Sequence, residues 1–313
     1  MRLQRYPLKS AKLRVVLLVL LLFFLYMFIF KSSNLLQKDL RTRAHKKGKV
    51  GFVPTMGALH VGHQSLIERA RSENDTVVVS IFVNPKQFDD KQDLENYPNT
   101  ISADIKMLLQ CGVDYLFYPN VDAIYDESYV DHDIHLGGLD TIHEGHFRPG
   151  HFQGVAKVVK RFFEIVEPTN AYFGQKDFQQ SVVVDRLIKL MNAEINLVVC
   201  PIVREPHGLA MSSRNERLSP DARDKAAFIY KSLIKLKERT YFKSLKESLQ
   251  TTLDYINSIE NAELEYLVCV DGETLLEVKK LTDAAYVAAL TVVRVENVRL
   301  LDNIVIKDTR FKR

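Results

Sequence analysis

Two histidines three residues apart, His60 and His63, stand in the run PTMGALHVGH (residues 54–63). If that run turns helically, both imidazoles face one side. Gly57 and Gly62 permit tight turns and close backbone approach to a ligand. An apolar run precedes the segment and a helical pattern follows it. A helix beginning near His63 would aim unpaired N–H groups and a positive dipole end at the loop, which makes a phosphate site. Two imidazoles there can donate hydrogen bonds to a pentacovalent phosphorus and stabilise its charge. Two ordinary surface histidines are the plain alternative. A zinc site finds no third ligand at a suitable spacing.

Four further loops carry candidate chemistry. In FGQKDFQQ (173–180), Lys176 is a mobile charge suited to phosphate oxygens, and Asp177 and Gln180 can position hydroxyls. In GLAMSSRN (208–215), two serines and Arg214 form a loop that could close over a triphosphate. In VNPKQF (83–88), Asn84 and Gln87 are uncharged hydrogen bonders apt for a small polar substrate. In RPGHFQG (148–154), Arg148 is a cation for a carboxylate or phosphate, and His151 reads equally well as structural.

The elements that must position these loops are α/β in pattern. Apolar runs at 49–55, 75–85, 113–119 and 194–203, and a strand and loop over 170–177, alternate with helical spacings over 63–74, 100–112, 154–168 and 179–191. That alternation predicts a parallel sheet with crossover helices, whose strand ends hold the ligand. After REPHGLAMSSRN the texture changes to long amphipathic helices, DARDKAAFIYKSLIKLKERT and FKSLKESLQTTLDYINS, and then strand-rich sequence. This places a boundary near residue 205, with domains over 27–205 and 206–313.

The 313 residues are 46% hydrophobic and 26% charged, as in an ordinary globular protein, and the net charge of +4 is small. No basic stripe supports nucleic-acid binding. Cys111, Cys200 and Cys269 lie far apart and read as buried small hydrophobes in a reducing compartment. Residues 15–30, VVLLVLLLFFLYMFIF, read by hydropathy as a short anchor between Arg14 and Lys31. The competing reading starts the protein at Met27, with Phe28–Phe30 as a strand and an amphipathic helix after it, leaving residues 1–26 as an upstream extension.

Taken in order, PTMGALHVGH, SIFVNPKQF, RPGHFQGVAKVV, FGQKDFQQ, VREPHGLAMSSRN and VRLLDN resemble the pantoate–β-alanine ligases, over residues 27 to 305. The resemblance implies a Rossmann-like parallel sheet with flanking helices of the HxGH nucleotidylyltransferase type, and a smaller C-terminal α+β domain acting as a lid. It implies a cytoplasmic homodimer that uses ATP with Mg²⁺. Pantoate would be adenylated, and β-alanine would then displace AMP to give pantothenate. Met56, Gly57, Ala58, Leu59, His60, Val61, Gly62 and His63 would line the ATP site, with His63 as proton donor. Gly174, Gln175, Lys176 and Asp177 would bind ATP, with Val203 on the adenine side and Met211, Ser212, Ser213 and Arg214 as the mobile phosphate loop. Catalysis would fall to His60, His63, Lys176 and Arg214. Gln87 and Gln180 would hold pantoate, Gln87 also lying near β-alanine, with Asn84 and Arg148 on the pantoate and phosphate side. Asp104 matches a magnesium-side carboxylate. Three positions depart from the pattern: Gln175 for Glu, His207 for Asp and Asn99 for Arg. His207 would make nucleotide binding pH-dependent. In this fold Phe28–Phe30 belongs to the sheet, which favours the extension reading over the anchor. The alternatives are another HxGH nucleotidylyltransferase and a membrane-tethered relative without activity.

Overall fold

A computed structural model describes residues 26–46, 48–127 and 129–310. Most of residues 1–26, including 15–25 of the apolar run, lie outside the described residues. Among those described, no helix is long and apolar enough to cross a membrane. The end of the apolar run, Phe28–Phe30, is a strand and not a helix.

Six strands make the first sheet: β1 (Phe28–Phe30), β2 (Val50–Thr55), β3 (Thr76–Ile81), β4 (Tyr115–Phe117), β5 (Asn170–Gly174) and β6 (Asn196–Cys200). Their spatial order is β1-β4-β3-β2-β5-β6, and every pairing is parallel. Parallel strands need covered faces, and the residues supply them. Phe52 points to one side with Phe162, Val184 and Leu187. Its neighbour Val53 points to the other, with Leu66, Ile67 and Leu108. Helices Val61–Glu73 and Ile101–Gln110 therefore cover one face, and helices Ser33–Asp39, His151–Val166 and Phe178–Met191 the other. Fully buried Phe52 meets Phe162 edge-on at 5.6 Å. Burying one such ring contributes about 1.5–3 kcal/mol.

Chain order runs outward from β2 through β3 to β4 on one side, then returns to place β5 on the other side of β2. The crevice at such a reversal, outside the carboxyl ends of β2 and β5, is where ligands bind in open α/β sheets. PTMGALHVGH leaves β2 there and FGQKDFQQ leaves β5 there.

Beyond residue 205 the chain builds a three-stranded antiparallel sheet, β7 (Ala262–Asp271), β8 (Tyr286–Val295) and β9 (Val298–Asp308), with helices Phe228–Arg239 and Leu245–Asn257 packed on it. The two-residue turn Glu296–Asn297 takes φ of +47° and +63°, the left-handed pair that suits the twist of a tight hairpin. Val270, Leu275, Ala288 and Leu290 share a core with Phe152, Phe178 and Val183 of the first part. One expectation needs correction. The helix read over DARDKAAFIYKSLIKLKERT is two, Pro220–Lys225 and Phe228–Arg239. At the break, buried Ala226 and Ala227 tighten into i→i−3 bonds (Ala227 N–H to Asp224 O, 3.4 Å; Ile229 N–H to Ala226 O, 3.1 Å).

Candidate functional site

The histidine loop is held from below. Gly57 takes φ +83° and Ala58 φ +50°, so the chain turns sharply after β2. Asp104 catches that turn: its carboxylate accepts from Ala58 N–H at 3.0 Å and Leu59 N–H at 2.9 Å, and from the Thr100 hydroxyl at 3.0 Å. Asp104 is buried with both oxygens occupied. It therefore does not fit the magnesium-side role; it shapes the loop. Among the described residues, no group of three or more His, Cys, Asp and Glu could hold a metal ion.

The helix begins at Val61, two residues earlier than the sequence pattern suggested, because His60 caps it. His60 Nδ1 accepts from Gly62 N–H at 3.1 Å, and His63 Nδ1 accepts from His60 N–H at 3.3 Å. This is the reciprocal logic of a capping box, made with imidazoles. The two rings lie 4.1 Å apart. A nitrogen that accepts carries no proton, so each neutral ring bears its hydrogen on Nε2. Burial in the cleft, then the charge of Lys176, lowers His60 to about 4. Burial, then His60, lowers His63 to about 3. Both are neutral donors at pH 7.

His151 has the opposite tautomer. Its Nδ1–H donates to Gln87 O at 2.7 Å, and its Nε2 accepts from Arg148 Nη1 at 3.2 Å. Burial, then Arg148, lowers it to about 4. The expected NMR result is that none of the three rings titrates between pH 5 and 8, with Nε2–H on His60 and His63 and Nδ1–H on His151. Titration of His60 or His63 near pH 6.5 would contradict this assignment. The linkage has a definite sign. Below about pH 6.5 the unfolded rings take protons that the folded ones refuse, so acid weakens the fold through these groups.

One cleft gathers Met56, His60, Gly62, His63, Gln87, Arg148, Gly174, Lys176, Asp177, Gln180, Val203, Met211, Ser212, Ser213 and Arg214. Burial works against the charge of Asp177, but Lys176 and Arg214 outweigh it and hold the carboxyl below its usual range. Met211 N–H donates to Val203 O at 3.0 Å, which brings both residues to the same wall. Seven candidates do not line the cleft. Gly57, Ala58 and Leu59 form the turn behind it, and exposed Val61 opens the helix. Asp104 braces that turn. Asn84 is buried: its Nδ2 donates to Gln87 Oε1 at 3.2 Å and Gly154 O at 3.1 Å, and its Oδ1 accepts from Tyr125 OH at 2.9 Å. Its side chain orients Gln87 and does not line the cleft. Gln175 Nε2 donates to Asn303 Oδ1 at 3.1 Å, away from the cleft. His207 also lies off the cleft, 3.8 Å from both Glu205 and Asp224.

Other contributors escaped the sequence reading. Tyr97 lines the cleft. Asn303 on β9 donates to Gln175 O at 2.9 Å and Lys176 O at 3.0 Å, bolting the lysine loop to the C-terminal sheet. Its neighbour Asp302, buried, pairs with Arg204 through both oxygens at 2.7 and 2.9 Å. The signal for both was the VRLLDN motif, which by itself carries no contact information.

A family described as pantoate-beta-alanine ligase matches residues 28–305. A pantothenate synthetase of Bacteroides fragilis is 44% identical over 274 residues, covering 88% of this chain and 97% of that one. The crystal structure of pantothenate synthetase from Thermus thermophilus superposes with a TM-score of 0.83 at 40% identity, covering 90% of this chain and 100% of that one. A pantoate-beta-alanine ligase of Francisella tularensis, solved with beta-gamma ATP and beta-alanine, gives 0.73 at 35% identity, covering 90% and 98%.

Proposed function

We propose, since this chain belongs to the pantoate–β-alanine ligase family, that its cleft works through a pantoyl-adenylate intermediate with the residues below in named roles. The overall reaction is that of the family: pantoate and β-alanine are joined to pantothenate at the expense of ATP, which makes the chain an AMP-forming ligase. In the first step a pantoate carboxylate oxygen attacks the α-phosphorus and pyrophosphate leaves. In the second, the β-alanine amine attacks the acyl carbon, AMP leaves with the bonding pair of the acyl–oxygen bond, and the nitrogen loses a proton.

The observation that carries the reading is the pair of neutral imidazoles, each with Nε2–H free, in one cleft with Lys176 and Arg214. His60 and His63 donate to the α-phosphate oxygens as negative charge accumulates there. Lys176 and Arg214 take the charge of the departing pyrophosphate. Ser212 and Ser213 place Arg214, while Val203 and Met211 flank the base. Gln87 and Gln180 hold pantoate. Gln87 Oε1 already accepts from Asn84 and one Nε2 hydrogen goes to Met56 Sδ at 3.0 Å, so the amide offers pantoate oxygens its second Nε2–H. Arg148 supports this wall, donating to Asp89 at 3.1 Å.

Magnesium enters with the triphosphate. Asp104 does not fit as its ligand, and no step here runs through the ion. We also assign residues 27–205 as the substrate domain and 206–313 as the covering domain, a homodimeric assembly and a cytoplasmic site of action; the free Cys111, Cys200 and Cys269 suit a reducing compartment.

The test is pantoate-dependent exchange of labelled pyrophosphate into ATP, followed by AMP release on adding β-alanine. Exchange without pantoate would point to a different nucleotidylyltransferase. No exchange would remove the adenylate mechanism.

A further inference from the structure

We propose that Asp93 is a built-in competitor for the nucleotide's phosphates: its carboxylate holds Arg214, which lines the cleft, together with Arg217, until a triphosphate takes the carboxylate's place on Arg214. The inference rests on reading the cleft as a nucleotide site.

Asp93 sits on the short helix Lys91–Glu95, in the segment that follows the VNPKQF turn. One of its oxygens is 2.7 Å from Arg214 Nη2 and the other 3.0 Å from Arg217 Nη1. These partners are 121 and 124 residues away in the chain, so the contact joins two separate segments, one of which lines the cleft through Arg214. The geometry has a local cause. Residues Ser213–Arg217 form a 3₁₀ turn capped by the Ser212 hydroxyl. In a 3₁₀ turn, side chains at i and i+3 eclipse. Arg214 and Arg217 are so related, and they converge on one carboxylate.

A second tie lies beside the first. Tyr97 lines the cleft together with Ser213 and Arg214, and both act on its hydroxyl. The Tyr97 ring stands edge-on to Phe88 at 5.7 Å, which anchors the strap to the Gln87 turn. Without Asp93, Arg214 and Arg217 would face each other as like charges; its carboxylate stands between them and offsets one of the two.

A triphosphate reverses this balance. Arg214 lines the cleft with Lys176 and is the cation placed to meet the phosphates. One edge of its guanidinium is committed to Asp93, and a second anion brought alongside repels that carboxylate. Nucleotide binding therefore exchanges one anion for another on Arg214, and the strap from Asp93 to Tyr97 opens or shifts as it happens. Asp93 acts on the reaction through Arg214 and is a positioning residue.

The decisive variant is Asp93→Asn, which keeps the shape and removes the charge. ATP binding is measured by calorimetry without pantoate, alongside KM for ATP and kcat. The expected result is ATP binding tighter by roughly two- to fivefold, the scale of one partly exposed ion pair, with a matching fall in KM for ATP. Asp93→Glu, which restores the carboxylate, should return affinity toward that of the parent. A purely structural role for Asp93 predicts the opposite, weaker ATP binding in Asp93→Asn together with a lower melting temperature. That result, or equal affinities in the two proteins, overturns the proposal alone. If neither protein binds ATP, the nucleotide reading of the cleft falls and this inference falls with it. Should Asp93→Asn fail to fold, Asp93→Ser gives the same comparison.

Discussion

His63→Ala should cut pantoate-dependent pyrophosphate exchange by about a hundredfold or more, the cost of losing one well-placed donor to a developing oxyanion. The two ring nitrogens of His63 divide the labour between structure and chemistry. His63 Nδ1 is committed to the His60 backbone N–H, so only Nε2–H is available to substrate, and the ring's depressed pKa, about 3, keeps that donor neutral. Alanine removes both functions. The lost acceptor leaves His60 N–H unpaired at a helix start, which costs about 1 kcal/mol of stability. That is small beside the catalytic loss. A melting curve within a few degrees of the parent, ATP binding within severalfold and exchange nearly abolished would together support the assignment. Full exchange in a folded variant would overturn it. No acid-side recovery is expected, because the group acts as a neutral donor and not as an imidazolium.

The parts of this molecule that were legible in the sequence are those written in short-range pattern. The run DTVVVSIFVNP has β-branched residues without alternation, as a strand covered on both faces must, and it became β3 between β2 and β4. The histidine loop was legible because glycines, imidazoles and the following helix lie within about ten residues of one another. What stayed hidden depends on contacts between distant segments. Asp104 looked like a metal-side carboxylate, but its partners are N–H groups 45 and 46 residues earlier. Asn84 and Gln87 looked like two equivalent substrate amides. Only the fold shows that Tyr125 and Gly154 occupy Asn84, which leaves Gln87 to face the cleft. The capping role of His60 was hidden for another reason: imidazole is an uncommon cap, and a helix start read from Ser, Thr, Asp and Asn passes over it.

The same dependence on distant contacts gives the second large effect, at a residue that touches no substrate. Gly154 lies in the first turns of helix His151–Val166, and its carbonyl accepts from Asn84. A Cβ there would stand 2.1 Å from Lys86 O and 2.7 Å from Gln87 Cα. These are backbone atoms, so no rotamer change relieves the clash. Helix propensity alone would favour Gly154→Ala by about 1 kcal/mol. Overpacking of this kind costs about 1–3 kcal/mol, so the net change in stability is modest and destabilising. The functional cost is larger. To admit the methyl group, the Lys86–Gln87 turn must retreat by roughly 1 Å, and a misplacement of that size can cost about a hundredfold. The bond from His151 Nδ1–H to Gln87 O, 2.7 Å in the parent, would lengthen with it. Gly154→Ala should therefore lower kcat/KM for pantoate by about two orders of magnitude, while ATP binding without pantoate stays within severalfold, because the histidine and lysine loops hang from other strands. Gln87→Ala should show the same selectivity for pantoate without the stability loss. Equal losses toward ATP and pantoate in Gly154→Ala would mean that the helix supports the whole cleft and not the glutamine turn alone.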